Sequence, residues 1–271
     1  MVINMLKDIT IGQYFPGKSA VHSLDPRFKI IITGVFIAML FSADSFYGLG
    51  VGIVFLIISF ILSRIPFKLM LKSLKPIIPI ILFTSVLNIF FLDGVVLVKL
   101  GFLKITDEGL RTSAFMVIRI VALIMGSSLL TYTTSPITLT DAIERLLSPL
   151  KKLKFPVHEL AMMMTIALRF IPTLIEETDK IMSAQKARGA DMESGSLLQR
   201  AKALTPILIP LFVSAFRRAE ELAVAMECRC YQGGDGRTRL RQLHSEGKDY
   251  FALGISIVFL NAVILINILT G

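Results

Sequence analysis

The sequence has no tryptophan, only three histidines and only two cysteines, Cys228 and Cys230. Two cysteines one residue apart exclude a disulfide framework, and His22, His158 and His244 stand far apart along the chain. Acidic residues are few, 20 Asp and Glu against 29 Lys and Arg, for a formal net charge of +9. Charged residues of both signs make up only 18% of the chain while 54% is hydrophobic, and the mean hydropathy is +0.71. That balance excludes an ordinary soluble globular domain and puts the chain in a membrane. In so apolar a chain, excess positive charge bears on membrane orientation before it bears on nucleic acid. The sequence does not open on a basic stub with a short apolar run and a small-residue cleavage site, so no removed signal peptide is expected.

What is present begins with apolar runs. Asp25-Pro26 reads as an N-cap followed by proline at the first helical position. The runs predict spans over about 28–41, 46–62, 76–92, 114–132 and 250–269. Gly48 and Gly52 stand four apart on the second, a spacing that allows close helix approach. Arg64, Lys68, Lys72 and Lys75 crowd the loop after it, and 93–113 forms a loop of mixed charge. Arg119 lies near one end of the fourth run, close enough to snorkel to the surface. With the N-terminus in the cytoplasm, every Lys and Arg except Lys99, Lys104, Arg111 and Arg119 falls inside. That asymmetry favours five spans with the C-terminus outside.

The remaining stretch, 156–231, organises the chain. It reads as two amphipathic helical rods, each closing on an arginine between small residues, Ala187-Arg188-Gly189 and Cys228-Arg229-Cys230. Leu174, Ile175, Thr178, Ile181 and Met182 share one face of the first rod, opposite Glu176, Glu177, Asp179, Lys180 and Lys186. On the second, Leu211, Phe212, Ala215, Phe216, Ala219, Leu222, Ala223 and Met226 oppose Arg217, Arg218, Glu220, Glu221 and Glu227. Two further runs, 160–175 and 203–216, are almost wholly apolar but short of the ~20 residues a span needs. Proline at Pro172, Pro206 and Pro210 should kink them. They read as helices in or just under the membrane surface; if both cross, the count becomes seven with the same orientation. A shorter amphipathic helix over 135–155 precedes them, ending in Lys151, Lys152 and Lys154, which face either anionic headgroups or solvent. The expected fold is therefore all-α and integral to the membrane, about five transmembrane helices plus a cytoplasmic or interfacial platform of long helices. Its segments are 1–133 with four spans, 134–248 with the platform, and 249–271 with the last span.

No catalytic constellation emerges. Gly12-Gln13-Tyr14-Phe15-Pro16-Gly17-Lys18-Ser19 matches the phosphate-loop pattern, but Pro16 stiffens it and Asp25-Pro26 and a span follow within a turn or two. His158-Glu159 begins like a zinc-protease helix, yet Met162 holds the second ligand position. Glu176-Glu177 lies on the expected solvent face, and Cys228 and Cys230 lack a partner pair for a metal. Arg188 and Arg229 have two readings. A cation at a helix C-terminus is favoured by ~0.3–1 kcal/mol wherever it occurs. The sharper reading has Gly189 end its helix in a left-handed turn, so that Arg188 projects its guanidinium onto a partner's carboxylates.

The chain resembles the transmembrane T component of energy-coupling factor (ECF) vitamin and metal importers. The likeness rests on His22-Ser23-Leu24-Asp25-Pro26-Arg27-Phe28-Lys29, Pro149-Leu150-Lys151-Lys152-Leu153, Ala187-Arg188-Gly189 and Met226-Glu227-Cys228-Arg229-Cys230-Tyr231. The resemblance implies that Arg188 and Arg229, with Ala187, Gly189, Cys228 and Cys230 beside them, dock into grooves of two ABC-type ATPases. It implies that Met163, Met164, Leu168, Ile171, Leu211, Phe212 and Phe216 face a small substrate-binding membrane protein, the S component. ATP binding would then close the ATPase pair, move the rods, and topple that partner to release a vitamin or metal ion inward. By the same resemblance this chain is not an enzyme and carries no cofactor, ATP and magnesium being held by the ATPases; its partners are these proteins and lipid, not nucleic acid. It would be a multi-pass cell-membrane protein. The second tip departs from the pattern in its two cysteines. Cys230 enters a left-handed conformation less cheaply than glycine, by about 1 kcal/mol, so the turn is expected to be completed at Gly233-Gly234. A stand-alone carrier or a membrane-embedded enzyme are the alternatives.

Overall fold

The computed structural model describes residues 14–92, 95–100, 103–153, 155–190, 197–233 and 243–270. It is helical apart from one short antiparallel hairpin, and forms two compact units, one of 14–142 with 243–270 and the other of 143–233.

In the first unit Asp25 caps helix α1 (Pro26–Phe41), accepting a hydrogen bond from the Arg27 backbone amide, with Pro26 opening the helix. The cap is tied to the last helix of the chain, α9 (Gly247–Thr270). The buried Asp249 carboxylate accepts the Asp25 amide at 2.8 Å and the Glu246 amide at 2.7 Å, so one side chain satisfies donors at two helix starts. Arg27 clasps the Asp25 carboxylate at 2.6 Å, and the buried Lys29 donates to the carbonyls of His22 and Thr133.

Helix α2 (Phe46–Ser63) ends on Arg64 in a left-handed conformation, φ 55°. Helix α3 (Phe67–Leu74) follows, then α4 (Ile78–Phe91) after a 60° bend. The basic stretch after α2 is thus a short amphipathic helix rather than a loop. Strands β1 (Val96–Leu100) and β2 (Leu103–Thr106) lead into α5 (Asp107–Thr133), capped by the Thr106 hydroxyl. The fourth expected run therefore starts seven residues too late, because threonine followed by two acidic residues is a helix start that hydropathy does not register. Phe36, Leu40, Leu49, Phe55, Ala122 and Val263 are central to a core shared by α1, α2, α5 and α9. Gly48 and Gly52 face different neighbours: a Cβ on Gly52 would lie 2.7 Å from Leu40, and one on Gly48 3.2 Å from the Asn267 amide oxygen. Because α5 starts at Asp107, Arg119 lies midway along it rather than near an end, and its guanidinium donates to the Ala43 carbonyl in the α1–α2 loop while lying over the Phe115 ring.

Helix α6 (Pro136–Leu147) leads to a 3-10 turn (Ser148–Leu153). The second unit is then dominated by two helices of equal length, α7 (Val157–Ala187) and α8 (Leu197–Glu227), 31 residues each and continuous through their prolines. Among the described residues, α2, α5, α7 and α9 are each long and apolar enough to cross a membrane, and the bent pair α3–α4 makes a fifth candidate. The protein is an all-α integral membrane protein.

Candidate functional site

At 1.5 Å per residue, α7 and α8 are rods of roughly 46 Å. Each is apolar along one face and charged along another, and the two bury part of that apolar face on each other. Leu174, Ile175, Thr178, Ile181 and Met182 are all at least half covered, as the periodicity predicts. Met182 and Ile207 are the buried centre of one end of the pair.

The cross-contacts run in antiparallel order. Gln185 donates to the Pro206 carbonyl at 3.4 Å, and Glu177 pairs with Arg218 at 3.0 Å. Further along, Met162 and Ile166 of α7 share a cavity wall with Leu222, Met226 and Arg229. The pair is a helical hairpin whose two arginine-bearing C-termini lie at opposite ends. From the level of Met162 to Arg188 the helix rise separates the tips by roughly 40 Å.

Both tips close with the same motif. At the first, the Gly189 amide donates to the Lys186 carbonyl at 3.0 Å and the Ala190 amide to the Gln185 carbonyl at 3.0 Å. At the second, the Cys230 amide donates to Glu227 at 2.8 Å and the Tyr231 amide to Met226 at 3.1 Å. These paired bonds define a Schellman end, with the arginine at the cap and the next residue left-handed. Gly189 has φ 84° and Cys230 φ 53°. The expectation that the second turn closes at Gly233-Gly234 is therefore corrected. Gly234 lies outside the described residues, and Cys230 itself takes the left-handed position although Gly233 also has positive φ, 95°. Two terminal hydrogen bonds offset the side-chain strain that argued against it.

Ala187, Arg188, Gly189, Cys228, Arg229 and Cys230 are all exposed, with both thiols free. A guanidinium standing clear of its own chain with five donors is suited to a bidentate grip on carboxylates. Of the apolar residues assigned to an outward face, Met163, Met164, Phe212 and Phe216 are exposed while Leu168, Ile171 and Leu211 are half-buried. The apolar stripe of α8 thus splits, part seated on α7 and part uncovered.

Glu177 is a second correction. Expected on the solvent face, it turns toward α8 to pair with Arg218, a contact hidden from single-helix periodicity because it depends on which helix lies alongside. His158 faces Glu144 at 3.1 Å. Among the described residues, no three His, Cys, Asp or Glu side chains gather as a metal ligand set.

Comparison with known proteins bears on all of this. Residues 17–240 match the CbiQ family model, described as cobalt transport protein. The chain is 55% identical over 263 residues to the energy-coupling factor transporter transmembrane protein EcfT of Ruminiclostridium cellulolyticum, covering 97% of this chain and 98% of that one. It is 56% identical over 269 residues to the protein of the same name from Clostridium kluyveri, covering 98% and 100%. The Bacillus subtilis protein of that name is 51% identical over 261 residues, covering 96% and 98%.

Proposed function

Because the chain belongs to the family of transmembrane T components of energy-coupling factor transporters, we propose that it couples ATP hydrolysis by two ABC-type ATPase subunits to a small substrate-binding membrane protein, for uptake of a vitamin or metal ion. The observation that supports this reading is the pair of matched arginine caps at opposite ends of one antiparallel hairpin. One hairpin with an arginine cap at each end, roughly 40 Å apart, is suited to holding two separate motor proteins. Motion of either is carried along the rods because a helix transmits displacement along its axis without unfolding.

In this reading Arg188 and Arg229 are the docking cations, with Ala187, Gly189, Cys228 and Cys230 keeping the tips slim enough to enter a groove. Met163, Met164, Phe212 and Phe216, with Leu168, Ile171 and Leu211 beneath them, form the face toward the substrate-binding partner. The chain performs no catalysis and holds no cofactor; ATP and magnesium stay with the ATPases. The hairpin lies on the cytoplasmic side of the cell membrane, the side of the N-terminus, within a segment 134–248 flanked by the spans of 1–133 and 249–271. Arg169 and the charges of α8 oppose burial of the pair in hydrocarbon.

The test is affinity purification from a native membrane. Wild type should bring two ATPases and a small membrane protein with it. Arg188→Glu with Arg229→Glu should lose the ATPases while the chain still inserts. Retention of both ATPases by that variant would overturn the docking role, and transport by the isolated chain would favour a stand-alone carrier.

A further inference from the structure

The tips leave unused the first unit's basic and apolar hollows, and the phosphate-loop-like stretch that ends at Ser19. One hollow, of about 750 Å³, opens between the 14–23 segment and the end of α2. Lys18, Arg64, Tyr14, Ser19 and Ser23 line its polar part, and Leu62 closes one side. The second, about 160 Å³, is a mainly apolar slot between α1, α2, α5 and α9, walled by Ile58, Leu62, Leu129, Ile255 and Phe259 among others; Lys29 also lines it, its ammonium already taken up by the His22 and Thr133 carbonyls. Leu62 is a wall of both, and Val21 and Leu24 of the slot alternate along the chain with Ala20, His22 and Ser23 of the hollow.

The charges there are free to act. Lys18 and Arg64 are exposed and have no ion-pair partner among the described residues, and no acidic residue lines either hollow. The nearby Asp25 is already clasped by Arg27, and Asp249 by two backbone amides. The shape is held in advance. His22 Nε2 lies 3.0 Å from the Phe15 carbonyl, which can only accept, so the ring donates there and Nδ1 accepts a hydrogen bond from the Ser19 hydroxyl at 2.7 Å. That ring pins the segment carrying Lys18, while the left-handed cap holds Arg64 at the end of α2.

We propose that the two hollows together bind one anionic glycerophospholipid, its phosphate between Lys18 and Arg64 and part of an acyl chain in the slot. A free phosphate or a nucleotide would use the basic hollow alone. The mainly apolar slot that shares the Leu62 wall with it, on helices already among lipid tails, calls for a ligand that is charged at one end and hydrocarbon at the other. Basic side chains at a membrane surface attract anionic headgroups.

The test is native mass spectrometry of the full-length protein titrated with phosphatidylglycerol or phosphatidylcholine. Wild type should retain phosphatidylglycerol preferentially. Lys18→Gln with Arg64→Gln should lose that preference by about thirtyfold, and Lys18→Arg with Arg64→Lys should keep it. Ile58→Trp, which fills the slot, should lose both lipids, with size-exclusion profile and circular dichroism confirming the fold of each variant. Equal retention of the two lipids by wild type, or undiminished phosphatidylglycerol binding by the neutral variant, removes the site. Displacement of phosphatidylglycerol by inorganic phosphate that Ile58→Trp leaves unaltered assigns the hollow to free phosphate and removes the lipid.

Discussion

Cys230 occupies at the end of α8 the position that Gly189 occupies at the end of α7, each left-handed and each donating its amide back to the second residue of a reversed turn. The two differ only in that one carries a side chain there. Replacing Gly189 by alanine should therefore weaken the first tip by about 1 kcal/mol, since nothing lies within 4 Å of the added Cβ to offset the strain. Cys230→Gly should strengthen the second by ~0.5–1 kcal/mol, the relief of strain exceeding the chain entropy glycine adds to the unfolded state. Hydrogen exchange at the Ala190 and Tyr231 amides reads both directly.

The exposed thiols are natural probes of the second tip. A thiol crosslinker applied to the purified complex should join this chain through Cys228 or Cys230 to one ATPase. Ala187→Cys, the exposed position that matches Cys228, in a background lacking both native cysteines should join it to the other. If both positions capture the same face of the same ATPase copy, the tips do not serve separate partners.

Glu177 and Arg218 hold the hairpin by a half-exposed pair at 3.0 Å, with side chains 27% and 38% accessible. Glu177→Gln should cost only ~0.2–1 kcal/mol. The more informative experiment is a double-mutant cycle: exchanging the two residues should recover most of what either single charge reversal loses, in thermal unfolding and in transport alike. An additive cycle would show that the contact contributes nothing to the hairpin.

In the membrane unit, Gly126 of α5 makes room for Phe36 of α1, whose ring stacks on Phe55 at 5.8 Å between centroids. A Cβ at Gly126 would stand 2.2 Å from that ring. Gly126→Ala should therefore destabilise by about 1–3 kcal/mol, seen as a lower melting temperature in detergent with secondary structure retained below it.

Pro172 lies inside α7, and Pro206 and Pro210 inside α8, each removing one backbone hydrogen bond from a continuous helix. If these missing hydrogen bonds serve as hinges during coupling, replacing the three by alanine should stiffen the rods, because an interior proline costs a helix ~3 kcal/mol. Transport should then fall while the complex still assembles. Unchanged transport with unchanged assembly would remove the hinge.

Much of this was legible in residue order. The membrane setting follows from apolar run length, and the Asp25-Pro26 start and the two rods follow from caps and periodicity, which are local and repeat every few residues. The start of α5 at Asp107, hidden by a hydropathy criterion, was recoverable from Thr106 and the acidic pair after it. Asp249 binding the Asp25 amide was not recoverable, because a hydrogen bond between residues 224 apart leaves no periodic trace.

The sequence by itself determined that two amphipathic rods would form and that each would end on an arginine, because helix faces and helix ends are written within one or two turns. Only the tertiary structure decided that the rods run antiparallel, that Glu177 turns inward to Arg218, and that Cys230 accepts a glycine's conformation. Those outcomes depend on which surfaces meet and on hydrogen bonds closed across a turn, energies that no single helix contains.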